Sequence, residues 1–134
     1  MDELRGTGYF RELADGDPSG PSLRDSCSAT AQPDEDRIVA YLEESPTMLW
    51  SPTLVYDVLR PEVDIGTETI KTDGVWEWPA DLAYYVRRYH VAMEPEFVAH
   101  MRARGWSPPL PQQVDLDVAA MLGIAVDEDG PVEG

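Results

Sequence analysis

Six basic or imidazole side chains in one short segment are the groups in this sequence best suited to bind an anion. They include both histidines of the chain, and they are Arg87, Arg88, His90, His100, Arg102 and Arg104. Guanidinium groups bind phosphate and carboxylate oxygens through paired N–H donors. If helices predicted over residues 82–91 and 95–104 lie antiparallel, these side chains would converge on an anion, a phosphate or a partner carboxylate. The alternative is that they lie on solvated helix faces, where Arg pairs with the many Asp and Glu side chains.

Three aromatic residues next to this segment extend the candidate site, namely Trp76, Trp78 and Tyr84. Exposed rings beside Arg would suit a nucleotide-like ligand, which combines a planar ring with negative charge. The alternative is that the two Trp pack beneath a helix, because an isolated hairpin needs a cover to be stable. We expect at least one of the two indoles to belong to the core, and the exposure of their face stays open.

Patterns typical of catalytic and metal sites are missing from the sequence. His90 and His100 are too far apart to match any helical metal motif, and the single cysteine, Cys27, rules out a Cys-based zinc site or an internal disulfide. Ser, His and acidic residues are present, but no G-x-S-x-G context marks a nucleophile. We therefore expect no catalytic residue, metal or cofactor, and we favour a protein that is not an enzyme.

The stretch from Thr69 to Trp78 predicts a β-hairpin. Its Asp73-Gly74 pair favours a type I′ turn, whose twist matches that of the flanking strands. A two-residue loop would place Thr72 opposite Val75 and put both Trp on one face together with Lys71. A short strand near residues 63–65 is expected to extend the same sheet.

Apolar spacing and end signals predict the helices. The predicted helical segments are 34–44, 52–60, 82–91, 95–104 and 115–122. Asp34 and Asp81 are expected to cap the first and third of these, and Ser51-Pro52 is a start signal for the second. Gly105 is a natural residue to end the fourth helix, with Trp106 folding back on its last turn. The residues Met48, Leu49 and Trp50 are expected to fill the core.

These elements together predict one α+β domain. Several short helices would pack on a small antiparallel sheet that contains the 69–78 hairpin. The chain of 134 residues is long enough for one core, and we place the globular domain at residues 34–126. Residues 1–33 are predicted to be mostly a flexible segment, because residues 15–33 are rich in Asp, Pro, Ser and Gly. Residues 127–134 are predicted to form a disordered acidic tail.

The charge of the chain limits its partners. It has 26 Asp and Glu against 10 Lys and Arg, a formal net charge of -16. That balance disfavours direct electrostatic binding to nucleic acid or anionic lipid and favours a protein partner with a basic surface. The alternative is that much of the charge lies in flexible ends and has no target. No apolar run is long enough for a membrane helix, and the N-terminus lacks the pattern of a signal peptide, so we expect a cytoplasmic protein.

Two runs of the sequence resemble a pattern found in small acidic bacterial proteins of unassigned function, some of which resemble toxin-immunity proteins. The runs are T-D-G-V-W-E-W-P-A-D-L-A-Y-Y-V-R-R-Y-H-V and E-F-V-A-H-M-R-A-R-G-W. The resemblance covers roughly residues 50–106 and brings no catalytic residues with it. It implies a non-enzymatic inhibitor that covers a basic partner surface.

Two hypotheses on function follow. The first is a non-enzymatic acidic interaction protein, with an immunity-type inhibitor as its most concrete form. The second is a regulatory protein that binds a small ligand or anion through the Trp, Tyr, Arg and His residues named above. The sequence leaves the partner, the ligand and the oligomeric state open.

Overall fold

A four-stranded sheet in the order β1-β4-β3-β2 organises the chain, which this computed structural model describes over residues 4–13 and 16–110. Its strands are β1 (Arg5–Gly6), β2 (Thr47–Asp57), β3 (Arg60–Thr72) and β4 (Trp76–Pro79). The helices of the described residues are α1 (Leu23–Ser26), α2 (Glu35–Glu44), α3 (Leu82–Tyr89) and α4 (Pro95–Ala103). The predicted α+β class is confirmed. The sheet is mixed, because β1 pairs in parallel with β4 while the other neighbours are antiparallel.

Three of the predicted helices form where their apolar stripes place them. The buried side chains of these helices include Ile38, Tyr41 and Leu42 of α2, Leu82, Tyr85 and Val86 of α3, and Phe97 and Met101 of α4. After α4, Gly105 takes a φ of 65° and the Trp106 N–H donates to Met101 O at 3.0 Å, as expected for a helix that ends at a glycine.

Helices begin directly after Asp34 and Asp81, but the prediction that these side chains cap them is wrong. Neither the Asp34 nor the Asp81 side chain accepts a capping hydrogen bond. A capping side chain normally extends from β-region backbone, whereas Asp34 has a left-handed φ of 60° and Asp81 is already helical.

The β3–β4 hairpin has a different register from the one predicted. Thr72 pairs with Glu77 and Lys71 with Trp78, two residues away from the expected partners. The Asp73 carboxylate causes the shift, because its Oδ1 accepts the N–H groups of both Val75 and Trp76, at 2.9 and 2.8 Å, and so builds a longer loop. Since side chains alternate with a period of two, the shift leaves each side chain on its predicted face.

Both hairpin indoles belong to the core, which confirms the expectation that at least one would. Trp76 is 2% exposed and Trp78 is 0% exposed. The Phe97 ring lies 4.8 Å from the first indole and 5.2 Å from the second, and the Tyr41 ring lies 6.2 Å from Trp78. The ring contacts that cover this face therefore come from α2 and α4.

The helix predicted after Ser51-Pro52 is wrong, because these residues lie within β2. Proline is tolerated there since β2 is an edge strand and its pairing with β3 is irregular between Trp50 and Leu54. The prediction that Leu49 and Trp50 fill the core is also wrong, because Leu49 is 61% exposed and Trp50 is 64% exposed. The short strand expected near residues 63–65 is part of β3, which is 13 residues long.

The core extends N-terminal to residue 34, where the sequence places the start of the globular domain. Phe10 and Leu23 are buried in the same cluster as the hairpin indoles. The Arg5 N–H donates to Val75 O at 3.0 Å and so joins β1 to the edge of β4. The predicted helix at 115–122 and tail at 127–134 lie outside the described residues.

Candidate functional site

The basic segment pairs with four separate carboxylates. The contacts are Arg87 with Glu43 at 2.8 Å, His90 with Glu35 at 2.8 Å, His100 with Asp73 at 2.8 Å and Arg102 with Asp34 at 3.5 Å. These carboxylates lie on α2, at its start and at the β3–β4 turn, so the four side chains face different parts of the molecule. With Trp76 and Trp78 in the core, the predicted site is divided.

One groove nevertheless retains part of the predicted site. It has a volume of about 880 Å³ and lies between the β2–β3 hairpin and α3, and we name it the β2–α3 groove. Tyr84, Arg87 and Arg88 line it, as the ligand-binding hypothesis requires. His90, His100, Arg102 and Arg104 are not among its lining residues. The other functional side chains that line it are Trp50, Lys71, Glu43 and Asp81.

Trp50 forms the sheet side of the groove. It pairs with Thr69 across the β2–β3 ladder, and its Nε1–H donates to Thr67 Oγ1 at 3.2 Å. That bond orients the indole while leaving most of it exposed. Sequence reasoning missed this residue, because in the apolar run Met48-Leu49-Trp50 nothing distinguishes an exposed indole from a buried one.

Lys71 stands at the end of the groove nearest α2. Its Nζ donates to Glu43 O at 2.8 Å and to Ser45 O at 3.0 Å, carbonyls at the C-terminal end of α2, where helix geometry favours a cation. Burial lowers the pKa of Lys71, and the charge of Glu43 partly offsets this. The predicted hairpin already placed Lys71 on the same face as Trp76 and Trp78. That was the one signal in the sequence that could have identified Lys71 as a residue of the site.

A buried carboxylate ties the far end of the β2–β3 hairpin to α3. Asp57 accepts the Tyr84 hydroxyl at 2.7 Å, the Tyr89 hydroxyl at 2.5 Å and the Leu59 N–H at 2.8 Å. Burial opposes the charge on Asp57, but these hydrogen bonds outweigh burial and lower its pKa. Burial and the bond to Asp57 raise the pKa of Tyr89 to about 12. We name Asp57, Tyr84 and Tyr89 together the Asp57 clamp. This clamp fixes Tyr84 at the groove.

A second buried carboxylate lies beneath the β3–β4 turn. Asp73 Oδ2 accepts the Tyr41 hydroxyl at 2.5 Å and His100 Nε2 at 2.8 Å. A His–Asp pair orients the base in many hydrolytic sites. Here the hydroxyl that shares the carboxylate belongs to Tyr41, whose pKa is raised by burial and by Asp73, so it is a poor nucleophile at neutral pH. The arrangement is suited to holding α2 and α4 against the turn.

The outer strand of the sheet exposes four large apolar side chains, which do not all share one face, because Leu49 and Trp50 pair with the successive residues Ile70 and Thr69. We name Leu49, Trp50, Leu54 and Tyr56 the β2 patch, and their exposed fractions run from 45% to 64%. In the described part of the chain, β2 pairs with β3 on one edge, and no strand pairs with its other edge. The patch therefore lies beside unpaired main-chain N–H and C=O groups.

Comparison of the chain with models of known protein families, with curated proteins and with solved structures finds no match. Among residues 4–13 and 16–110, no three His, Cys, Asp or Glu side chains are grouped as a metal ion requires. No helix in the same part of the chain has the length and apolar character needed to cross a bilayer.

Proposed function

We propose that this chain is a non-enzymatic acidic interaction protein that binds a basic partner surface through the β2 patch. The observation that carries the proposal is the exposure of Trp50 and Tyr56 together with two leucines on one edge strand. Exposed apolar side chains of this size are typical of protein interfaces, and Trp and Tyr are residues that contribute most to binding energy.

The unpaired edge of β2 supports a strand-pairing mode of recognition. A partner segment that adds a strand there gains main-chain hydrogen bonds, and the patch side chains supply selectivity. The strand is 11 residues long, enough to pair with an extended segment of similar length.

The charge of the chain supports a basic partner. Asp64 stands opposite Tyr56 in the β2–β3 ladder, and Glu62 is exposed on the same strand. Charge complementarity of this kind speeds association and weakens with salt. The most concrete form of the proposal is an immunity-type inhibitor that covers the basic surface of a toxin, as the resemblance noted above implies.

The proposal is tested by capturing a partner from the native host and measuring its binding to two variants. Leu54→Ser/Tyr56→Ser removes half of the β2 patch and leaves the lining of the β2–α3 groove intact. Val75→Ser is the matched control, because Val75 is 41% exposed but lies at the β3–β4 turn. We expect the double variant to weaken binding about tenfold or more, the control to bind like wild type, and the association rate to fall as salt rises.

Two results would contradict the proposal. One is a partner that binds both variants with the same affinity, since the patch would then play no part. The other is an association rate that does not depend on salt, since the partner would then not be recognised by charge.

A further inference from the structure

We infer that the β2–α3 groove is a binding site for a small anion that carries a planar ring, of the class of the nucleoside phosphates. The groove gathers Lys71, Arg87 and Arg88, three of the ten Lys and Arg residues of the chain, with an exposed indole. This site is separate from the proposed partner surface in all but Trp50. Its volume of about 880 Å³ falls within the range of about 300–1,000 Å³ typical of small-ligand pockets.

One of the three cations of the groove already binds an anionic group. Arg87 holds the Glu43 carboxylate through two N–H groups, at 2.8 and 3.3 Å. This paired geometry is the one by which guanidinium binds a carboxylate or a phosphate. Lys71 lies next to this ion pair, because its Nζ donates to the main-chain carbonyl of Glu43. Glu43 thus occupies, from within the chain, a position that a ligand phosphate would use.

Arg88 supplies the charge that Glu43 does not neutralise. Within the described residues it pairs with no carboxylate, and its guanidinium lies 5.1 Å from the centroid of the Tyr89 ring. Tyr89 is held by the Asp57 clamp, so Arg88 rests on a fixed platform. The groove has two carboxylates, Glu43 and Asp81, against its three cations, and it reverses the acidic balance of the chain as a whole.

The indole determines the class of ligand. A bare anion would need only the cations, but Trp50 is 64% exposed on the groove wall with its Nε1–H fixed on Thr67. An exposed indole held in one orientation is a stacking surface for a purine or pyrimidine ring. Tyr84, tied to Asp57, presents a second ring in the same groove. Ring and phosphate together are the chemistry of a nucleotide.

The test is calorimetric titration of the full chain with ADP, with adenosine and inorganic phosphate as separate probes. We expect ADP to bind more tightly than either part. Arg88→Gln should weaken ADP binding about tenfold, because it removes a charged hydrogen-bond donor worth about 1.4 kcal/mol. Glu43→Gln should tighten it several-fold, because the variant releases Arg87 and removes a competing charge. Arg37→Gln is the matched control, an exposed Arg of α2 outside the groove lining, and should bind like wild type.

A fluorescence titration gives a second readout. Trp76 and Trp78 are buried, and the fourth tryptophan, Trp106, is not among the residues that line the groove. The change that ADP causes should therefore come mainly from Trp50 and should be lost in Trp50→Phe. The inference is overturned if folded wild type and Glu43→Gln both show no heat and no fluorescence change with millimolar ADP. It is equally overturned if Arg88→Gln and Arg37→Gln weaken binding alike, because the attraction would then be unspecific.

Discussion

Strands β4 and β2 both flank β3, both carry tryptophan, and differ in almost everything else. β4 is four residues long, has β1 on its other edge and keeps Trp76 and Trp78 within 2% of full burial. β2 is 11 residues long, and its indole, Trp50, is 64% exposed. The indoles are chemically the same, so their role depends on what packs against them. Helices α2 and α4 pack on the indoles of β4, whereas they leave the indole of β2 exposed. Substitutions at each strand test this difference.

Trp78→Ala should have the largest effect. The side chain is fully buried against Tyr41 and Phe97, and its removal leaves a large cavity. We expect a loss of about 3–5 kcal/mol in the free energy of unfolding, measured by urea titration, which can unfold a marginally stable domain. A midpoint close to that of wild type would show that β4 is not part of the core.

Asp57→Asn should have the next largest effect. Asp57 is fully buried and its carboxylate accepts two phenol groups, so the loss of its charge weakens the bonds that hold the β2–β3 hairpin to α3. We expect a destabilisation of about 2–3 kcal/mol. Glu62→Gln is the control, since this exposed residue of β3 makes a surface ion pair with Arg60 at 3.7 Å, a contact of little weight for stability. Equal stability of the two variants would mean that the clamp does not anchor the hairpin.

The N-terminal segment that contributes Phe10 and Leu23 to the core should have a smaller, pH-dependent effect on stability. Partial burial opposes the charge on Glu12, but bonds from Leu23 N–H, Arg24 N–H and the Ser22 hydroxyl hold its pKa at about 2, against an ordinary value of 4.5. Because the folded pKa is the lower one, this stabilisation is present above pH 4.5 and is lost as the pH falls towards 2.

Glu12→Gln should therefore cost about 1 kcal/mol at pH 7 and nothing at pH 2. Thermal unfolding across this range gives the measurement, with Glu44→Gln, an exposed residue of α2, as the control. A difference from wild type that stays constant with pH would contradict the assignment, because only the ionised form accepts all three bonds at full strength.

The fold was predictable where an element carries its own pattern. α2, α3 and α4 each have an apolar stripe at helical spacing, and that pattern needs no knowledge of the rest of the chain. β2 could not be recognised in this way. Its Ser51-Pro52 is a helix start signal in isolation, and only the pairing with β3, interrupted at Pro52, makes a strand of it. Leu23 was missed for a related reason, as one apolar side chain in a polar stretch has no periodicity.

The candidate site was predictable in part. Tyr84, Arg87 and Arg88 come from one helix, so sequence spacing alone keeps them together. Trp50 lies near them because the β2–β3 hairpin packs against α3. Asp57 and Tyr84, which are 27 residues apart, hold the two elements together through a hydrogen bond. The histidines were grouped by sequence proximity, but Glu35 and Asp73 draw them to different places. Long-range carboxylate pairing was the information that the sequence did not contain.

Trp50→Ser should have the smallest effect on stability and gives the sharpest comparison with Trp78. The exposed indole makes one hydrogen bond, to Thr67, and its loss opens no enclosed cavity, so we expect the free energy of unfolding to change by less than about 0.5 kcal/mol. Partner and ADP binding should both weaken, because the β2 patch and the β2–α3 groove share this residue. A variant that unfolds as easily as Trp78→Ala would mean that Trp50 is covered in solution, and β2 would then be an internal strand of a larger assembly. Sedimentation of the wild-type chain separates these cases, since such a cover by a second copy would double its mass.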